Sequence, residues 1–191
     1  MNNGKNVLIG VVVVLAIIVF WFFGTRNSLV SMKEDVKNQQ SQVEVALQRR
    51  NDLIPNLVAT VKGYASHEEA VFTEVAEARA KLAGSIETGD IESINEANNA
   101  LDSALGRLLA ISEDYPDLEA SDQFIALQDE LAGTENRISF ARNRYNDAVT
   151  VYNKAVQSMP TSIVASMSGY YPMEQFEASE TAKEVPVVSF D

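Results

Sequence analysis

The sequence predicts an all-α protein in which a single N-terminal transmembrane helix continues into a long antiparallel bundle of about four helices. Three observations lead to this fold class. A heptad seam runs from Phe124 to Met159, a second seam runs from Val36 to Tyr64, and an uncharged apolar stretch occupies Val7–Phe23. Seams with steps of three and four residues are typical of helices that pack against other helices.

The seam in the second half of the chain predicts the longest helix of the bundle, over Ser121–Met159. Its small residues form one column, which lets a neighbouring helix approach closely, and its large residues form the other column. The seam positions are Phe124, Leu127, Leu131, Thr134, Ile138, Ala141, Tyr145, Ala148, Tyr152, Ala155 and Met159.

The N-terminal stretch predicts a transmembrane helix over residues 7–24, after a short tail of residues 1–6. Val7–Phe23 is seventeen residues without a charge, close to the length that crosses about 30 Å of hydrocarbon. Trp21–Phe23 would lie at the interface, where aromatic rings are favoured. A cleaved signal peptide fits less well, because the stretch ends in bulky aromatics instead of a small-residue cleavage site. We therefore expect the lipid bilayer to be the partner of residues 7–24.

The flanking charges do not decide on which side of the membrane the bundle lies. Lys5 precedes the apolar stretch, and Arg26, Lys33 and Lys37 follow it. This bias slightly favours a cytoplasmic bundle, but long domains translocate regardless of flanking charge. The expected location is the cell (inner) membrane, with a single pass.

The second seam predicts that the transmembrane helix runs on into the first bundle helix, with a bend at Pro55. Arg50 falls on this seam, where it either pairs with a buried carboxylate or extends past the apolar stripe; a catalytic role is the less favoured reading. The seam positions are Val36, Gln40, Val43, Leu47, Arg50, Ile54, Leu57, Val61 and Tyr64.

We expect the bundle over residues 25–159. Residues that typically start or end helices divide its remaining part. A capping box at Ser66–Glu69 predicts the start of a second helix that ends near Gly84. Asp90 is expected to cap a third helix, and a turn containing Pro116 leads into the long seam. The inward positions are Val71, Val75, Ala78 and Leu82 in the second helix, and Ile94, Ala97, Leu101, Ala104, Leu108 and Ile111 in the third.

Pro160 ends the long helix, and residues 160–178 form an apolar segment that we expect to pack on the bundle. A self-association or partner surface is the functional alternative for this segment. Residues 179–191 are expected to be a disordered acidic tail. The candidate contacts are Ile163, Val164, Met167, Tyr170, Tyr171 and Phe176.

Composition excludes several classes of function. The formal net charge is −12 with a pI near 4.5, and residues 66–158 carry eighteen negative and seven positive side chains. Such a surface repels phosphate backbones, so nucleic acid is not an expected partner. The absence of cysteine excludes disulfides and thiolate chemistry.

The motifs predict no catalytic, cofactor-binding or metal site. A di-iron bundle needs two Glu-x-x-His pairs, but His67 is the single histidine of the sequence and no zincin motif follows it. Phosphate-binding glycine loops and nucleophile elbows are also absent. Tyr145, Asn146, Tyr152 and Asn153 form a near-repeat that we interpret as a structural hydrogen-bonding network, with a binding site as the alternative.

The chain resembles the LemA family, and the resemblance covers nearly everything from the anchor to Phe176. The combination of motifs in this order is highly specific. The first signature comprises Arg49–Val58, Val61–Tyr64, His67–Glu68 and Glu77–Arg79; the second comprises Tyr115–Pro116, Leu127–Leu131, Thr134–Ile138, Ala141–Arg142, Tyr145–Asn146, Val151–Asn153 and Pro160–Ala165.

The resemblance implies a single-pass bacterial membrane protein with an antiparallel helical bundle, without an established activity or cofactor. The leading hypothesis is a non-catalytic scaffold that acts through self-association or an unknown protein partner at the membrane. The alternative is a sensor that binds a small molecule or peptide in the bundle, where the small column of Thr134, Ala141, Ala148 and Ala155 would open a pocket. An enzyme built on scattered carboxylates is the third hypothesis.

Overall fold

The computed structural model describes residues 3–177 and confirms the all-α fold class. Within this range the chain forms six α-helices and one 3₁₀ turn, and it contains no strand. The predicted acidic tail, residues 179–191, lies outside the described residues. The helices are α1 (Asn3–Tyr64), α2 (Glu69–Thr88), α3 (Ile91–Ala110), α4 (Pro116–Glu119), α5 (Asp122–Gln157) and α6 (Thr161–Ser168), with the 3₁₀ turn at Ile111–Asp114.

The chain divides into two compact units, and α1 and α5 each contribute to both. The anchor unit is the described part of Met1–Gln39 together with Asn146–Glu174. The bundle unit is Gln40–Tyr145 together with the described part of Gln175–Asp191.

Helix α1 is one uninterrupted helix of 62 residues, and its first part is long and apolar enough to cross a membrane. The apolar side chains of that part project outward on every side, for example Val7 at 67% and Phe20 at 85% exposure. A helix that exposes apolar groups all round needs an apolar surrounding medium. Because α1 continues from this part to Tyr64 without interruption, the predicted continuity of the anchor with the first bundle helix is confirmed. The helix also runs through Pro55 without a break.

In the bundle unit α2 runs antiparallel to α1, and α3 runs antiparallel to α2. Asn51 of α1 meets Arg79 of α2, whereas Gln40, nearer the start of α1, donates to the carbonyl of Gly89 at the end of α2. Arg107 likewise bonds Glu74, and Lys81 bonds Glu96. Side chains from α1 to α5 share one hydrophobic cluster, whose buried members include Ile54, Leu57, Val61, Val75, Leu82, Ala97, Leu101, Ala104, Leu108, Leu118 and Phe124.

The two heptad seams predict most of the buried positions on α1 and α5. The seam positions Tyr64 and Met159 are exposed by 46% and 73%, and Gln40, Leu127, Ala148 and Ala155 are only partly buried. Met159 lies beyond the end of α5 at Gln157, so the helical repeat no longer directs its side chain. The buried positions near that end of α5 are Val149, Tyr152 and Val156.

The predicted helix boundaries are correct at Asp90 and wrong at Ser66 and Gly84. Asp90 caps α3 by accepting a hydrogen bond from the Ser93 amide at 2.9 Å. Helix α2 begins only at Glu69, and Ser66 lies in the preceding turn. The same helix continues past Gly84 to Thr88 and ends at Gly89, whose φ of 69° supplies the left-handed conformation that terminates many helices.

In the anchor unit the C-terminal segment folds as α6 followed by an irregular stretch. Val164 and Ala165 of α6 are buried, whereas Ile163, Met167 and Tyr171 are exposed. The Asn153 amide anchors the irregular stretch by two hydrogen bonds of 2.8 Å to the backbone of Met173, one donated and one accepted. Helix α6 is therefore buried at Val164 and Ala165, and Asn153 holds the stretch that follows it.

A test of the small column is Ala141→Leu, because Ala141 is buried with 8% of its surface exposed. The added carbons have no space and should lower the stability of the chain by about 1–3 kcal/mol. Thermal unfolding of the detergent-solubilised protein, followed by circular dichroism, measures the effect. Ala132→Leu is the matched control, since Ala132 is exposed on the same helix. Equal melting temperatures for the two variants would contradict close packing at Ala141.

Candidate functional site

The strongest concentration of charged groups inside the bundle unit surrounds Arg50. Its guanidinium contacts Asp102 at 2.5 Å and Glu135 at 2.9 Å, so one side chain links α1, α3 and α5. Asn98 completes the group: its oxygen lies 3.4 Å from Arg50 and its amide donates to Asp102 at 2.8 Å. We call these four residues the Arg50 cluster. Of the two readings that the sequence left open, the structure shows the ion pair, but the carboxylates that pair with Arg50 are partly exposed and not buried.

The Arg50 cluster is buried at its centre and open at its edge. The Arg50 side chain is 6% exposed, whereas those of Asp102 and Glu135 are 28% and 50% exposed. The carboxylates therefore keep part of their hydration, which reduces the cost of bringing charge into the bundle. Because two carboxylates pair with one guanidinium, the cluster has a net negative charge. The arrangement is suited to joining helices.

A second polar contact explains why α1 accommodates a proline in its interior. Because Pro55 has no amide hydrogen, the carbonyl of Asn51, four residues earlier, lacks its usual helical donor. Arg79 of α2 supplies the missing bond, since its Nε donates to the Asn51 carbonyl at 3.1 Å. Pro55 and Arg79 are thereby coupled, although they lie on different helices.

Arg142 brings a second cation near the Arg50 cluster. Its guanidinium carbon lies 5.3 Å from the ring centre of Phe176, and its Nε and Nη2 are buried without a hydrogen-bond partner among the described residues. Burial lowers the pKa of Arg142 below its usual value; Glu135 and Asp102 act in the opposite direction, and Arg50 lowers it further. The aromatic face of Phe176 compensates part of the lost hydration.

The predicted tyrosine and asparagine positions have separate structural roles. Tyr145 is buried and meets Phe176 edge to face, with ring centres 5.0 Å apart. Asn153 is bonded to Met173 as described above, so it holds the C-terminal segment. Asn146 is partly buried. Tyr152 is 1% exposed, and burial, followed by the nearby Tyr170, raises its pKa.

The raised pKa of Tyr152 gives an expected pH dependence. The unfolded chain ionises its tyrosines near pH 10, while folded Tyr152 retains its proton, so its contribution to stability is complete below pH 10 and is lost as the pH rises further. Tyr152→Phe should make the alkaline fall in melting temperature less steep. Tyr171→Phe, at a 71% exposed position, is the control and should leave that fall unchanged. Identical alkaline profiles for both variants would contradict this assignment.

The remaining candidate positions do not assemble into a site. His67 is exposed in the turn between α1 and α2, and residues 3–177 gather no group of three or more His, Asp or Glu side chains placed to hold a metal ion. The small column is closed at Thr134 and Ala141, both of which are buried. This closure removes the motivation for a sensor pocket at those two positions.

A shallow groove does lie elsewhere in the bundle unit, where the end of α1 meets the start of α5. Its walls include Ala59 and Gly63 on α1, and Ala126 and Leu127 on α5. Tyr64 and Glu130 also line it. The groove brings the end of α1 beside the start of α5, whereas Arg50, earlier in α1, meets Glu135, later in α5. The two helices are therefore antiparallel in this unit.

Sequence reasoning identified Arg50 and missed its partners. Asp102 and Glu135 lie 52 and 85 positions further along the chain, and each is one acidic residue among many on exposed helix faces. The coupling of Pro55 to Arg79 had a usable signal, namely a proline inside a seam that continues unbroken on both sides.

Comparison with known proteins agrees with this architecture. Magnetosome protein MamQ of Magnetospirillum gryphiswaldense is 27% identical over an alignment of 214 positions, which covers 99% of this chain and 78% of that protein. Magnetosome protein MamQ 2 of Paramagnetospirillum magneticum is 28% identical, with 85% of this chain and 68% of that protein covered. Protein LemA of Metamycoplasma hominis is 27% identical, with coverages of 88% and 76%.

The LemA family matches residues 39–190, which is most of the sequence and includes the Arg50 cluster, Arg79 and Arg142. The N-terminal helix adds a segment able to span a membrane. This chain is a membrane-associated helical protein that belongs to the LemA family.

Proposed function

We propose that this protein is a non-catalytic scaffold anchored in the cell (inner) membrane, which acts through self-association or protein partners. The observation that carries the proposal is the single helix α1, which provides both the apolar span and a wall of the bundle. The continuous helix joins the apolar span to the bundle without an intervening loop.

The absence of catalysis is supported by how the buried charges are used. Arg50 is engaged by Asp102 and Glu135, and Arg79 is engaged by a backbone carbonyl. A catalytic acid or base needs a group that is poised toward a substrate in a cleft. These groups instead point at one another across helix contacts.

An interaction role is supported by exposed apolar side chains on the bundle unit. Phe140 on α5 is 62% exposed beneath the guanidinium of Arg144, which lies 5.0 Å from the ring centre. Val45 on α1 is 66% exposed. Large apolar side chains and arginine are enriched in protein interfaces.

In-membrane crosslinking tests the interaction role. A photo-crosslinking amino acid at Phe140 or Val45 should form covalent adducts on irradiation of intact membranes, either with a second copy of the chain or with one defined protein. The same amino acid at Asn136, which is exposed on α5 and polar, is the matched control. An absence of adducts at Phe140 and Val45, together with a strictly monomeric protein at high concentration in detergent, would overturn the proposal.

Membrane fractionation tests the anchor. The chain should remain in the inner-membrane fraction after alkaline carbonate extraction, because residues 7–24 would be buried in hydrocarbon. Val13→Arg combined with Ile17→Arg places two charges in the span, and it should release the protein or prevent its insertion. Protease protection of the intact protein reports which side carries the bundle.

A further inference from the structure

The turn and helix that follow α5 expose an uncharged apolar surface. Residues 155–173 contain no Asp, Glu, Lys or Arg, although these residues make up 22% of the chain. Four large side chains of this stretch are solvent-exposed, namely Met159 (73%), Ile163 (50%), Met167 (73%) and Tyr171 (71%). They recur every four residues, and we call them the α6 surface.

The α6 surface differs from the outer faces of the bundle helices. On α2 the exposed positions include Glu77, Lys81 and Glu87, as expected for a face in water. On α6 the inner face is buried at Val164 and Ala165, and the exposed positions are Ile163, Ser166 and Met167, none of which is charged. An exposed side that carries large apolar side chains and hydroxyl groups but no charge suits an interface between water and an apolar medium.

Contacts within the anchor unit place α6 beside the end of the membrane span. The Lys33 ammonium lies 5.8 Å from the ring centre of Tyr170, which follows α6. Leu29 is 1% exposed, so another segment must cover it. The other segment of the anchor unit is Asn146–Glu174, which contains α6. The uncharged run Asn6–Thr25 is twenty residues, about 30 Å of helix, so the hydrocarbon ends near Thr25. Leu29 follows Thr25 by about 6 Å, which places it in the headgroup layer of about 5–7 Å, and Lys33 follows by about 12 Å, on the water side of that layer.

We propose that the α6 surface lies against the headgroup layer, in the leaflet where α1 leaves the membrane. The proposal rests on the membrane anchoring described above. Methionine and isoleucine would extend toward the acyl region, and Tyr171 suits the headgroup layer because its ring is apolar and its hydroxyl is polar. Because residues 155–173 carry no charge, no ion has to be dehydrated when this stretch meets lipid. The cation of Lys33 is attracted by anionic headgroups.

Depth measurements on labelled protein test this placement, since the sequence has no cysteine and any introduced cysteine is unique. Single variants Met159→Cys, Ile163→Cys and Met167→Cys carry an environment-sensitive fluorophore in the full chain. The protein is reconstituted into vesicles of phosphatidylcholine and phosphatidylglycerol, with or without nitroxide-bearing acyl chains. Val14→Cys in the span and Ser103→Cys on the exposed face of α3 are the controls.

Labels on the α6 surface should be quenched by nitroxide lipids and protected from aqueous iodide several-fold better than the label at Ser103. Iodide access equal to that at Ser103 would overturn the proposal. Protection from iodide without quenching by lipid would also overturn it, because a protein contact would then cover the surface. Failure of the Val14 label to respond to nitroxide lipid would instead refute the anchor itself.

Discussion

Arg50→Ala is expected to lower the free energy of unfolding by about 2–4 kcal/mol, because it removes the group that neutralises Asp102 and Glu135. The Arg50 side chain is 6% exposed and contacts both carboxylates within 2.9 Å. The expected loss is at the lower part of the range for fully buried pairs, since the carboxylates are partly hydrated. Denaturant unfolding of the solubilised chain, followed by circular dichroism, provides the measurement.

The neighbouring residue supplies a matched control for this prediction. Arg49 forms a single contact of 3.3 Å with Glu130, and the two side chains are 54% and 44% exposed. Arg49→Ala should therefore cost less than about 1 kcal/mol. If Arg49→Ala and Arg50→Ala destabilise the chain equally, the buried position of Arg50 has no special energetic role and our account of the cluster is wrong.

Pro55→Ala is expected to stabilise the chain by about 2–3 kcal/mol, since alanine restores an amide hydrogen in the interior of α1 and removes the steric conflict of the ring. The restored amide would donate to the Asn51 carbonyl. Arg79→Ala should cost about 1–2 kcal/mol in the natural chain, because that carbonyl loses its donor. The same substitution should cost less in the Pro55→Ala background.

A double-mutant cycle over Pro55 and Arg79 measures this coupling directly. Pro116→Ala is the control, because Pro116 occupies the first turn of α4, where proline is well tolerated. It should give no comparable gain in stability. Additive effects of Pro55→Ala and Arg79→Ala would show that Arg79 does not substitute for the missing amide.

Much of the fold was predictable because helix packing repeats along the sequence. The seams from Val36 and from Phe124 identified the buried faces of α1 and α5, and Asp90 marked the start of α3 correctly. The errors at Ser66 and Gly84 arose where one local signal was given too much weight. Gly84 is tolerated inside a helix at a cost of about 1 kcal/mol, whereas Gly89 has the positive φ that ends α2.

The Arg50 cluster was predictable only in part, for a different reason. A charged residue on an apolar seam indicates that a partner exists, but the partner is selected by the packing of distant helices. Asp102 and Glu135 lie on the solvent side of that packing, so neither interrupts an apolar pattern. The α6 surface was similarly hidden, since the sequence pattern of 160–178 predicted packing without indicating which side chains would face outward.

The sequence separations within the Arg50 cluster also bear on the rates of folding and unfolding. Arg50 and Glu135 are 85 positions apart, and Arg50 and Asn98 are 48 apart. Chain closure over such distances loses entropy before the contact forms, so we expect these bonds to appear after the rate-limiting step of folding. Their removal would then accelerate unfolding and leave the folding rate nearly unchanged. The cluster would accordingly set the lifetime of the native state.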